Sequence, residues 1–141
     1  MRAIGLDFGE KTIGVAVSDP LGIIAQGVKT IRRKSWQVDL EKLHKIIEEY
    51  EAERLVVGLP RNMDGSYGPS AEKVQVFMEK LKIFNLPIEP EDERLTTVMA
   101  ERALLEGDVS RKKRKQVIDQ VAAALILQGY LDRLSRERKR D

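Results

Sequence analysis

Three acidic residues stand where stability alone would not place them: Asp7, Glu93 and Asp119. Asp7 follows the apolar stretch Ala3, Ile4 and Leu6, and beyond it Gly9 and Gly14 flank a short turn. Glu93 closes an acidic series of Glu89, Glu91 and Asp92, and Asp119 interrupts an otherwise apolar stretch from Val117 to Leu127. A carboxylate buried unpaired costs several kcal/mol, so each needs a cation, a basic side chain or a helix N-terminus. An oxygen-only ligand set of Asp7, Glu93 and Asp119 suits Mg²⁺ or Mn²⁺, which keep several waters and bind phosphate oxygens in their open positions. Two such ions ~3.5–4 Å apart activate a water and stabilise the departing oxyanion in phosphodiester hydrolysis. A glycine hairpin beside an Asp also suits a second chemistry, the holding of a nucleotide phosphate.

Each acid has an ordinary alternative. Asp7 could cap a turn or bind Lys11 across the hairpin, and Glu93 could be a solvated acidic end. Asp119 could pair with Lys115 one helical turn earlier. The joint case is stronger, because all three fall on elements able to share one sheet edge. Among the basic groups, Lys11 and Arg61 lie in glycine-containing loops and are candidates for phosphate contacts. Lys112 and Lys115 belong to the run Arg111 to Lys115, and a further basic cluster spans Arg136 to Arg140. Phosphate neutralisation by such groups supplies most sequence-independent affinity for nucleic acid, although a charge run is more often a solvated face. His44 reads as structural. Trp36 and Tyr67 are more readily packing residues than base-stacking platforms.

The elements that must position these groups follow from periodicity. Strands are expected near 2–8 and 12–18, with a third over 23–31 after the turn at Asp19 to Gly22. Leu40, Leu43, Ile46, Ile47 and Tyr50 mark a helix over 37–51, and 54–59 reads as a buried strand ending at Pro60. Ser70 is expected to cap a helix with inner face Val74, Phe77, Leu81 and Phe84. A strand over 87–91 follows, then a helix of Met99, Ala100, Ala103 and Leu104, capped by Thr96 or Thr97 and stopped at Gly107. A long C-terminal helix carries Val117, Val121, Ala124, Leu125 and Leu131, and its tail from Arg133 is expected to fray. Three antiparallel strands followed by helix–strand–helix–strand–helix, with right-handed crossovers, give an α/β fold with a mixed sheet ordered 3-2-1-4-5. Strand 5 then lies roughly 9–10 Å from strand 1, a gap that a Glu spans better than an Asp.

Composition bounds the rest. The 141 residues, 42% apolar, fit one domain over 1–141, long enough for one core but hardly two. With no cysteine, disulfides, thiolate nucleophiles and Cys-based zinc sites are excluded. No targeting segment or membrane-length apolar run is evident, so the expected location is the cytoplasm. The net charge of +2 says less about partners than the clustering of basic residues in the last third.

Four separated motifs carry a resemblance over nearly the whole chain. They run from Gly5 to Asp19, Val57 to Ser66, Asp92 to Thr97 and Lys115 to Leu127. In this order they resemble the YqgF family, also called RuvX: pre-16S rRNA nucleases, also described as Holliday-junction-resolvase-like. The resemblance implies a ribonuclease H-like fold and a nuclease that matures the 5′ end of pre-16S rRNA, with RNA or the pre-ribosomal particle as partner. It carries acidic site positions onto Asp7, Glu93 and Asp119, and basic motif positions onto Lys11, Arg61 and Arg94. Branched DNA is the alternative substrate, and a non-catalytic RNA-binding assembly factor the alternative role. An actin-like phosphotransferase would need a second domain, for which the chain has no room. A monomer or weak homodimer is expected.

Overall fold

Alternating apolar residues on three consecutive strands build an antiparallel meander: β1 (Ala3–Phe8), β2 (Thr12–Ser18) and β3 (Ala25–Arg32). Helix α1 (Trp36–Tyr50) leads to β4 (Arg54–Pro60), and α2 (Pro69–Leu81) with a 3₁₀ turn leads to β5 (Ile88–Glu93). Helix α3 (Arg111–Arg140) is the last described element. The computed structural model describes residues 1–62, 64–93 and 111–140, with side chains in α3 from 117 to 139. The expected helix of Met99 to Leu104, its capping threonines and Gly107 lie outside the described residues. The strands form one sheet ordered β3-β2-β1-β4-β5. β1 pairs antiparallel with β2 and parallel with β4, which pairs parallel with β5. The order is the one expected, and it brings the C-terminal ends of β1, β4 and β5 to a common edge.

Both faces of the sheet are covered, one by α1 and α2 and the other by α3. Ile4, Leu6, Ile13, Val15, Leu55 and Val57 meet Leu43 and Ile46 of α1 and Val74, Phe77 and Leu81 of α2. Ala3, Ala16 and Val56, one position out of phase, meet Ala123, Ile126, Leu127 and Tyr130 of α3. Successive strand residues point to opposite faces, so each strand feeds both layers. Large residues face α1 and α2, whereas small ones face α3, and the long helix therefore lies close on the sheet. The buried stripe of α3 is Ala122, Ala123, Ile126, Leu127, Tyr130 and Leu131. Of the positions expected to mark that stripe, Val121, Ala124 and Leu125 are only half-buried.

Several boundaries move for identifiable reasons. β3 starts at Ala25 because the Asp19 carboxylate accepts hydrogen bonds from Ile23 N at 2.6 Å and Ile24 N at 2.9 Å, closing a turn. The N-cap of α2 is Gly68 rather than Ser70, with Pro69 in the first turn, where its fixed φ suits the helix and its missing N–H costs nothing. Ser35 caps α1 by accepting from Val38 N at 3.2 Å. β5 extends to Glu93, which draws that residue into the sheet. The tail of α3 does not fray at Arg133. It stays helical to Arg140 on residues of good helix propensity, with Arg133 and Glu137 paired one turn apart at 3.6 Å. Among the described residues no helix is long and apolar enough to cross a membrane.

Candidate active site

Asp7 lies opposite Gly14 in the β1–β2 ladder. A Cβ at Gly14 would run into the backbone and Cβ of Asp119, so the glycine lets α3 touch β2 at that residue. Asp119 therefore stands over the strand next to Asp7. Thr12, two residues before Gly14 and on the same face, donates its hydroxyl to Asp119 Oδ2 at 2.5 Å. Sequence reasoning did not single out Thr12; its signal is the spacing Thr12-x-Gly14, which sets a hydroxyl and a gap side by side on one strand face.

Glu93 arrives from the far side of β4. An ideal Cβ on Gly58 would stand 2.8 Å from Glu93 Oε2 and 2.5 Å from Ile126 Cδ1. The Glu93 side chain thus crosses β4 over a residue without a side chain, and it hydrogen-bonds Asp7. Its neighbours on the same face of β5 go elsewhere. Glu89 takes Arg54 at 3.6 Å and Tyr130, and Glu91 takes Arg133 at 2.7 Å. Two of these three glutamates are matched by arginines; the third is matched by another acid.

The electrostatics follow from that juxtaposition. Burial, then the Asp7 charge and hydrogen bond, then the Asp119 charge push the Glu93 carboxyl up to about 9. Burial raises the Asp7 carboxyl as well; the hydrogen bond from Glu93 partly offsets this, and the Asp119 charge adds to it. At neutral pH Glu93 carries a proton and donates it to Asp7. Among the described residues the acids form no ready-made metal cage; Asp7 is bonded to Glu93, and Asp119 to Thr12. The donor chemistry nevertheless fits a hard divalent cation: all oxygen, crowded, partly desolvated, and without a cationic partner for Asp7 or Glu93 among the interactions described.

The basic candidates divide. Lys11 is exposed in the turn between Gly9 and Thr12, on the hairpin that carries Asp7. Arg61 follows β4 directly, faces Asp92 at 3.8 Å and covers the Tyr67 ring at 4.6 Å from its centroid. Lys112 and Lys115 sit on the first turns of α3, ahead of Asp119, and their side chains are outside the description. Arg94 lies outside the described residues. His44 is on the exposed side of α1, paired with Glu48 at 2.9 Å and stacked on Phe84. Trp36 packs in parallel with Phe8 and Phe77.

A second group missed in the sequence holds the hairpin turn. Arg33 N donates to Lys11 O at 2.9 Å, and Arg33 Nη1 donates to Gly9 O at 3.3 Å. Its Nε reaches Asp39 Oδ2 at 3.2 Å, and its guanidinium lies over Phe8 and Trp36. Asp39, only 1% exposed, also accepts from Lys34 N at 3.0 Å. The turn is therefore clasped to the start of α1.

The RuvX family model, described as a Holliday junction resolvase, matches residues 1–133. The chain belongs to the RuvX family. A relative from Clostridium botulinum strain Hall, named "Putative pre-16S rRNA nuclease", is 57% identical over 137 residues, covering 96% of this chain and all of the relative. One of the same name from Clostridium kluyveri is 56% identical over the same share of each. Among solved structures, this RuvX chain is similar to RuvC of T. thermophilus in complex with a Holliday junction substrate, with TM-score 0.59 and 12% identity over 96% of both chains. Fowlpox virus resolvase in complex with junction DNA gives 0.56 and 12%, over 95% of this chain and 99% of the other. These likenesses establish a RuvC-like, ribonuclease H-type fold for the RuvX chain.

Proposed function

We propose that this protein is a divalent-metal-dependent nuclease of the cytoplasm that processes the 5′ end of pre-16S rRNA. The observation that carries the reading is the meeting of Asp7, Glu93 and Asp119 at the C-terminal edge of parallel strands, where open α/β sheets place their ligands. The names of the close relatives support RNA as the substrate.

Asp7, Glu93 and Asp119 are the residues that would hold Mg²⁺ or Mn²⁺. The bound ion supplies Lewis acidity toward the phosphate and lowers the pKa of a water. Holding an ion there would require Glu93 to give up the proton it shares with Asp7. Thr12 keeps Asp119 turned toward the same edge. Lys11, Arg61 and Arg94, with Lys112 and Lys115 ahead of Asp119, are assigned to backbone phosphates flanking the cut. Such contacts fix the register of the strand without reading its sequence.

The description of the family model favours one second reading, cleavage of a four-way DNA junction. Both are tested together by incubating the protein with a 16S precursor fragment and with a junction, each in Mn²⁺, Mg²⁺ or EDTA, beside Asp7→Asn. Metal-dependent cleavage of the RNA, lost in the variant, is the expected result. Cleavage of the junction alone would move the assignment to DNA. Cleavage that survives Asp7→Asn would remove the acidic cluster from the mechanism, and silence on both substrates and on precursor particles would favour an assembly role.

A further inference from the structure

We propose that Thr12 is a positioning residue for the candidate metal site, acting through Asp119; the proposal rests on the metal-dependent reading above. The hydroxyl lies 2.5 Å from Asp119 Oδ2, across 107 positions of sequence. Thr12 occupies one carboxylate oxygen, and none of the described hydrogen bonds takes Oδ1.

The direction of control follows from what fixes each partner. Thr12 is set independently of Asp119. Its carbonyl accepts from Gly9 N at 2.9 Å, it pairs with Arg32 across the sheet, and the preceding turn is clasped by Arg33. Arg33 is in turn anchored on the buried Asp39. The described hydrogen bond that holds the Asp119 carboxylate is the one from Thr12. Without the hydroxyl, an Asp side chain on a helix has other rotamers that turn it away from Asp7 and Glu93. Thr12 therefore holds Asp119 beside Asp7 and Glu93, so that a cation bound there would meet three acids rather than two. Gly14 sets the height of the helix backbone, and Thr12 sets the aim of the carboxylate.

The test uses the full chain as wild type, Thr12→Val and Thr12→Ser. Mn²⁺ affinity is measured by calorimetry and by loss of the free-ion electron paramagnetic resonance signal, and thermal melting is recorded in EDTA. The valine variant should bind Mn²⁺ about 10–100-fold more weakly, the usual cost of removing an outer-shell partner. Serine keeps the hydroxyl and should stay within about threefold of wild type, by the same argument. RNA cleavage by the valine variant should recover as Mn²⁺ is raised. Unchanged Mn²⁺ affinity in a folded valine variant overturns the proposal, as does a lower melting temperature with no change in affinity. A serine variant as weak as valine overturns it too, and keeps it testable if valine fails to fold. A wild-type chain that binds no Mn²⁺ overturns both this proposal and the metal-dependent reading, whereas wild-type binding with no valine effect removes only the role of Thr12.

Discussion

The Glu93 carboxyl crosses β4 directly over Gly58 to hydrogen-bond Asp7 on β1. Two acids from strands that are not neighbours thereby share a proton, because the strand between them has a residue without a side chain at the crossing.

Gly58→Ala tests that crossing. The added methyl falls 2.8 Å from Glu93 Oε2 and 2.5 Å from Ile126 Cδ1, so both must give way. Overpacking of this kind costs about 1–3 kcal/mol. Urea denaturation should show a loss in that range, and Mn²⁺ affinity should fall with it. A variant with wild-type affinity would mean that Glu93 reaches the site by another path.

Glu93→Gln should remove cleavage and yet stabilise the metal-free protein at high pH. The folded chain holds the Glu93 proton up to about 9, while an unfolded glutamate releases it near 4.5. Between those values the native state binds more protons than the unfolded one, so this group's contribution declines as pH rises. Glutamine donates to Asp7 at every pH and escapes the decline. In EDTA, the difference in stability between variant and wild type should grow from pH 5 to pH 9, reaching at least about 1 kcal/mol. A constant difference across that range would contradict the shared proton.

Asp39→Ala should be strongly destabilising. It strands Arg33 and the Lys34 N–H, both of which bond to a carboxylate that is 1% exposed. Breaking a buried pair from one side costs about 3–5 kcal/mol. The midpoint of urea unfolding should shift accordingly, with Asp39→Asn falling between. A loss below about 1 kcal/mol would place the pair in the class of surface ion pairs.

Asp19 should titrate below the ordinary carboxylate value of 3.8, because Ile24 N and Ile23 N donate to it. Its contribution to stability is complete above the unfolded value and is lost as pH falls through the folded one. A carboxyl carbon titration by NMR reads the midpoint directly. A midpoint at or above 3.8 would show that the turn is open in solution.

Much of this could be read along the chain. Strand alternation and two helical periodicities were enough for the sheet order, because a right-handed crossover leaves few ways to place β4. Asp7 and Asp119 stood out as charges in apolar runs. Local signals misled where a neighbour in space decided the outcome. Ile23 and Ile24 look like strand residues, but the Asp19 side chain holds them in a turn. Ser70 looks like a cap, but the cap is Gly68 and Pro69 starts the helix two residues earlier than Ser70 would. Arg33, Asp39 and Thr12 carried no periodic signal, since what they do depends on partners in other elements.

The sequence by itself determined the two-faced strands, their order, and the conflict that makes Asp7 and Asp119 notable, because a residue's face on a strand is a local property with period two. What Glu89, Glu91 and Glu93 each meet was decided only by tertiary structure. All three point to one face of β5, and nothing local separates them. They part company because different groups of β4 and α3 stand beside each: Arg54 and Tyr130 beside the first, Arg133 beside the second, and for the third an open lane over Gly58 to Asp7.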